Sequence, residues 1–133
     1  MLFFTIFSYI IYLTLIESEV IVLSDIQLSK DNDLLICSLY KHYLEKVKNG
    51  SSKSDARLFG SSDEIQETLL NTWSKDDVAT SCWELHSKNL LECTSGDDIA
   101  NDIYLTNEGI IYMENRFKKG LIELTDFIAK FIP

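Results

Sequence analysis

Apolar residues recur at helical spacing from the start of residues 30–49, where Leu35, Ile36, Leu39, Tyr40, Tyr43, Leu44 and Val47 share one face and Gly50 follows where a helix would stop. Residues 50–60 (GSSKSDARLFG) break that period, begin in Ser and Gly, and read as a loop that tucks Leu58 and Phe59 against the core. Ser61 with Glu64 three residues on is a capping-box pattern, and Ile65, Leu69 and Leu70 then fall on one face, predicting a second, short helix. Ser74 with Asp77 repeats the start signal after a tight turn at residues 72–74. Val78, Cys82, Leu85 and Leu90 supply the buried side of a third helix ending near Asn89. Two apolar runs, residues 90–94 and 99–105, flank the polar tip Ser95, Gly96, Asp97 and Asp98, the pattern of a β-hairpin. Thr106 starts a fourth helix with Ile110, Ile111, Met113 and Phe117 inward, ended by Gly120. A last amphipathic stretch, residues 121–132, carries Leu121, Leu124, Phe127, Ile128 and Phe131 on one side.

The expected fold class is therefore mainly α with a small antiparallel β wing, an α+β domain. Its parts are an N-terminal extension at residues 1–22, one domain at residues 23–120 and an extra C-terminal amphipathic helix at residues 121–133. A chain of 133 residues with 46% hydrophobic and 25% charged positions is the size of one domain and can bury a core. One proline and five glycines exclude the low-complexity classes, and no segment repeats at a fixed period. Cys37, Cys82 and Cys93 are an odd number without a close pair, and His42 and His86 are the only histidines. A disulfide framework or zinc site is not expected; buried, reduced thiols in a cytoplasmic protein are.

Residues 1–16 (MLFFTIFSYIIYLTLI) carry no charge. They are shorter than the roughly 20 apolar residues that span a bilayer, no Lys or Arg precedes Lys30, and a signal peptide would want a basic start and a small-residue cleavage site. Three readings stand: a marginal membrane anchor, an added hydrophobic element covering the core, and a start codon assigned too early, with Val20 or Val22 as the true start. A membrane partner enters only with the first.

The order helix, helix, turn, helix, hairpin, helix is that of a winged helix-turn-helix domain. Trp73-Ser74-Lys75-Asp76-Asp77-Val78 precedes the third helix, and Leu85-His86-Ser87-Lys88-Asn89-Leu90-Leu91 closes it. Leu105-Thr106-Asn107-Glu108-Gly109-Ile110-Ile111-Tyr112 leaves the wing. On these runs and the tail at residues 121–132, residues 30–132 resemble the YjcQ-like group of small bacterial and prophage winged-helix proteins. Asn89 departs from the glycine common at that place, and the loop at residues 50–60 is longer than a minimal domain needs. The resemblance implies a DNA-binding ancestry and leaves the activity to be argued from the surface.

A DNA reader wants Lys, Arg, Asn or Gln on its third helix and wing. Here the third helix offers Lys75, Lys88, Asn89 and hydroxyls such as Thr80 against Asp76, Asp77 and Glu84, and the wing carries Glu92, Asp97, Asp98 and Asp102. Residues 58–115 hold two basic and 12 acidic residues, a net of −10, whereas residues 40–57 have a net of +3; the whole chain is at −9. DNA is thus electrostatically disfavoured but possible, with Lys41, Lys46, Lys48, Lys53 and Arg57 as the phosphate contacts. The favoured function is a non-enzymatic regulatory or adaptor protein acting through protein contacts made by Lys75, Asp76, Asp77, Thr80, Glu84, Lys88, Asp97 and Asp98. A sequence-specific DNA-binding regulator is the alternative. The partner is another protein or a second copy: the stripe of Leu121, Leu124, Phe127, Ile128 and Phe131 either folds back on Leu39, Tyr43 and Val47 of the first helix or, as favoured here, forms the seam of a homodimer. No cofactor, metal or catalytic residue is expected, since no phosphate loop, nucleophile elbow or metal motif is present and the pair Asp97-Asp98 is too weak a cation signal. Trp83 reads as core and His86 as a surface or cap residue.

Overall fold

A hydroxyl side chain opens most of the helices. In the computed structural model, which describes residues 26–131 together with Ser8, Ser29, Ser52, Ser61, Ser74 and Thr106 each accept a hydrogen bond from the backbone N–H three residues on, at 2.9–3.2 Å. The helices they start are α1 (Lys30–Lys48), α2 (Lys53–Ala56), α3 (Ser62–Thr68), α4 (Lys75–Ser87) and α5 (Asn107–Arg116). At Ser61 the reciprocal bond is also made, because the Glu64 carboxylate accepts from the Ser61 N–H, so the expected capping box is complete. The last helix, α6 (Leu121–Ala129), has no side-chain cap and begins at Gly120, whose φ of 72° lies in the left-handed region.

Strands β1 (Leu58–Gly60), β2 (Leu91–Gly96) and β3 (Ile99–Leu105) form an antiparallel sheet in the order β1-β3-β2. The fold is mainly helical with a small antiparallel sheet, as the hydrophobic pattern predicts. The hairpin closes on Asp97 and Asp98, both at positive φ (53° and 61°), as a two-residue primed turn demands and as Asp tolerates. A bulge follows, since the register jumps from Glu92↔Tyr104 to Thr94↔Asn101 and Asp102 also takes positive φ.

The loop predicted over residues 50–60 is instead the helical turn α2 and the strand β1. Leu58 pairs with Tyr104 and is 51% exposed rather than tucked inward, while Phe59 does pack half-buried against the core. The second helix stops at Thr68, so Leu69 is its cap and Leu70 is buried in the link to α4. The fourth helix ends at Arg116, short of Gly120, and Ile111 faces solvent rather than the core.

The core is built from Leu35, Ile36, Leu39, Tyr40 and Tyr43 of α1, Ile65 of α3, Val78, Cys82 and Leu85 of α4, the strand residues Leu91, Cys93, Ala100, Ile103 and Leu105, and Met113 of α5. Leu90 belongs to it from just beyond α4. That helix closes with a Schellman motif: the Leu90 N–H donates to Leu85 O at 3.1 Å and the Asn89 N–H to His86 O at 3.0 Å, with Asn89 at φ 63°. Helix α6 packs back on α1 and buries Leu124 completely. Phe127 sits edge-on between Phe117 and Phe131, at 5.3 and 5.0 Å between ring centroids. The expectations for residues 1–22 lie outside the described residues, among which no helix is long and apolar enough to cross a membrane.

Candidate interaction surface

The eight residues expected to carry contacts, Lys75, Asp76, Asp77, Thr80, Glu84, Lys88, Asp97 and Asp98, are all exposed, on α4, at its C-cap and at the wing tip. They are not equally available. Lys75 leaves α4 to meet Glu67 at 3.2 Å and Asp63 at 3.8 Å, so its charge is spent across the α3–α4 turn. Glu84 accepts a hydrogen bond from Nδ2 of Asn32, a residue of α1 only 3% exposed, and so holds α4 against α1. Asp76 and Asp77 stand in the first turn of α4, where the helix dipole favours negative charge. Lys88 makes no ion pair among the described residues and is the one open cation of the surface.

Two neighbours absent from that set join it. Trp83 and His86, three residues apart on α4, meet edge to face at 5.6 Å and are half-buried, so Trp83 is packed against the core without being enclosed by it. His86 Nδ1 lies 3.2 Å from Leu91 O and 3.6 Å from the Glu92 carboxylate, tying the end of α4 to β2. The spacing of Trp83 and His86 was the signal in the sequence; the approach of Glu92 depends on the hairpin register and was not.

The basic group is depleted by its own fold. Lys41 pairs with Glu45 at 3.7 Å. Lys46 donates to Leu58 O at 3.0 Å and lies 5.0 Å from the Phe59 ring centroid, and burial lowers its pKa. Arg57 donates from Nη1 to Asn107 Oδ1 at 2.9 Å, with its Nε buried and without an acceptor among the described residues. Of the five expected phosphate contacts, only Lys48 and Lys53 are exposed and make no ion pair or side-chain hydrogen bond among the described residues.

The proposed dimer seam is used within the chain. Leu124 is buried in its own core, and Leu121, Phe127, Ile128 and Phe131 are half-covered by the same packing. Arg116 reinforces this: it makes a two-pronged ion pair with Asp33, the second prong at 2.8 Å, and lies 5.0 Å and 4.7 Å from the Phe117 and Phe127 rings. Ser38, Lys41, His42, Glu45, Leu69 and Ile128 line a surface pocket of about 180 Å³, where burial and then Lys46 lower the pKa of His42.

All three cysteines are free and buried. Burial, with the Asp33 charge second, pushes the Cys37 thiol up to about 12; burial likewise carries Cys82 to about 12 and Cys93 to about 11. Such thiols are poor nucleophiles at neutral pH. Among the described residues no group of three or more His, Cys, Asp or Glu side chains is placed to hold a metal ion. No protein-family model, curated protein or solved structure matches the chain.

Proposed function

We propose that the protein is a non-enzymatic regulatory or adaptor protein of winged helix-turn-helix ancestry, acting in the cytoplasm through contacts with another protein. The ancestry is supported by the element order and by a three-stranded sheet whose last two strands form a wing. One observation carries the functional reading. On α4 and the wing, where such a domain would meet DNA, the exposed charges are Asp76, Asp77, Glu84, Asp97, Asp98 and Asp102 against Lys88 alone, since Lys75 is already matched by two carboxylates. Phosphates meeting that face would be repelled, whereas a basic protein surface would be attracted.

A sequence-specific DNA-binding regulator is the second reading, and the exposed Lys48 and Lys53 favour it. A fluorescence titration against pooled genomic DNA at low and moderate salt separates the two. The protein-contact reading expects weak binding that vanishes at physiological salt; a dissociation constant below about 100 nM with a steep salt dependence overturns it.

A further inference from the structure

The outer face of α4 is acidic at its start and aromatic at its end. Asp76, Thr80, Trp83 and Ser87 follow one another along the helix surface, and His86 and Glu92 continue the strip onto β2. Trp83 is half-buried, its indole N–H meets no acceptor among the described residues, and no Lys or Arg among them pairs with Glu92. A large flat ring at the surface, joined through the His86 ring to a carboxylate lacking a strong cation, suits one kind of side chain. It must be positive, planar, and able to stack and to pair in the same pose.

Resting on the protein-contact reading, we infer that the Trp83–His86–Glu92 corner anchors an arginine of a basic partner segment, the guanidinium lying on the Trp83 ring and pairing with Glu92. Charge complementarity selects the occupant, since Asp76 and Asp77 stand at the start of the strip and the wing acids Asp97 and Asp98 at the far end of the strand that carries Glu92, against Lys88 next to Ser87 as the one exposed cation beside it. Arginine is preferred to lysine because its guanidinium is weakly hydrated and flat. It therefore gives up less water to stack and keeps donors in its plane for the carboxylate. A half-buried Trp beside Thr80, His86 and Ser87 is also the residue type common in interface anchors.

The test titrates the full chain into fluorescein-labelled octa-arginine and octa-lysine peptides, read by anisotropy, beside an unrelated DNA duplex. The expected result is at least about fivefold tighter binding of the arginine peptide. Trp83→Ala removes that preference, Trp83→Phe keeps part of it, and Glu92→Gln weakens both peptides. Thermal melts report whether Trp83→Ala still folds; if it does not, Trp83→Phe and Glu92→Gln decide. Equal affinities for the two peptides, a preference that survives loss of the ring, or no binding of either peptide overturns the inference. Equal affinities leave the protein-contact reading standing, because a general acidic face binds both; that reading falls only with tight binding to the duplex.

Discussion

Gly109 is required by a backbone neighbour. A Cβ at that position would stand 2.3 Å from Leu90 O, because the first turn of α5 leans on the end of α4 while Thr106 Oγ1 donates to Asn89 O at 2.6 Å and accepts from the Gly109 N–H. The Leu-Thr-x-x-Gly run thus has a physical reading: a hydroxyl that ties one helix start to another helix's end, and a residue small enough to let them touch. Gly109→Ala is expected to cost at least about 2 kcal/mol in urea unfolding, since the facing atom is main chain and cannot swing away. Asn89, the departure from the glycine common after such helices, takes the same left-handed conformation at φ 63°. Asn89→Gly should therefore be close to neutral and Asn89→Ala should lose about 1 kcal/mol. The thiols make a pH prediction. Their folded pKa values of about 11 to 12 exceed the ordinary 9.0, so the neutral form is favoured by folding. Their stabilising contribution is whole below pH 9 and is lost as pH rises towards 11 and 12, at up to about 1.4 kcal/mol per thiol per pH unit. Urea midpoints measured from pH 8 upward should fall beyond pH 9, and iodoacetamide at pH 8 should label the thiols only on unfolding.

Elements announced by local chemistry were legible and elements made by distant partners were not. Ser61, Ser74 and Thr106 each signal a helix start within four residues, and all three starts are where the sequence places them. Strand β1 carries no such signal. It is three residues long, exposes Leu58, and exists because Leu58 pairs with Tyr104, the Leu105 N–H donates to Arg57 O, and Lys46 donates to Leu58 O. Each partner lies at least 12 residues away, so no period within residues 50–60 could reveal it. Helix α6 shows the same division, because its apolar stripe and its two candidate covers, the first helix and a second copy, were readable while the choice between them was made by packing. The expected dimer and the observed packing on α1 bury the same side chains. Leu124→Ala should cost about 2–5 kcal/mol in the monomer, read by thermal or urea unfolding. Arg116→Ala, which strands the Asp33 carboxylate in a largely covered site and removes a stacking partner from two rings, should cost about 3 kcal/mol. Sedimentation equilibrium of the full chain at about 100 μM then reports whether the half-covered Leu121, Ile128 and Phe131 also bind a second copy.

At the scale of the molecule, charge is unevenly distributed, and this asymmetry was readable by counting: −10 over residues 58–115 and +3 over residues 40–57. Counting could not say which cations remain free, because Lys75, Lys46 and Arg57 are engaged by residues that the fold brings near. That difference sets the expected response to salt. Each phosphate neutralised on duplex DNA contributes about −0.9 to the slope of log affinity against log salt. A basic patch that used all of Lys41, Lys46, Lys48, Lys53 and Arg57 would therefore give a slope near −4.5. With Lys41 paired to Glu45, and Lys46 and Arg57 bonded within the chain, only Lys48 and Lys53 reach a phosphate without breaking a contact, and the slope of any low-salt binding should be about −2. The double substitution Lys48→Glu with Lys53→Glu should abolish that residual binding. Lys75→Ala should leave it unchanged or slightly weaker, since this lysine is already shared between Asp63 and Glu67 and its loss only leaves those two carboxylates unmatched. Titrations at several salt concentrations between about 20 and 200 mM give the slope directly. A value near −4.5 would mean that the internal bonds of Lys46 and Arg57 yield to phosphate, and would return the basic end of the molecule to the centre of its function.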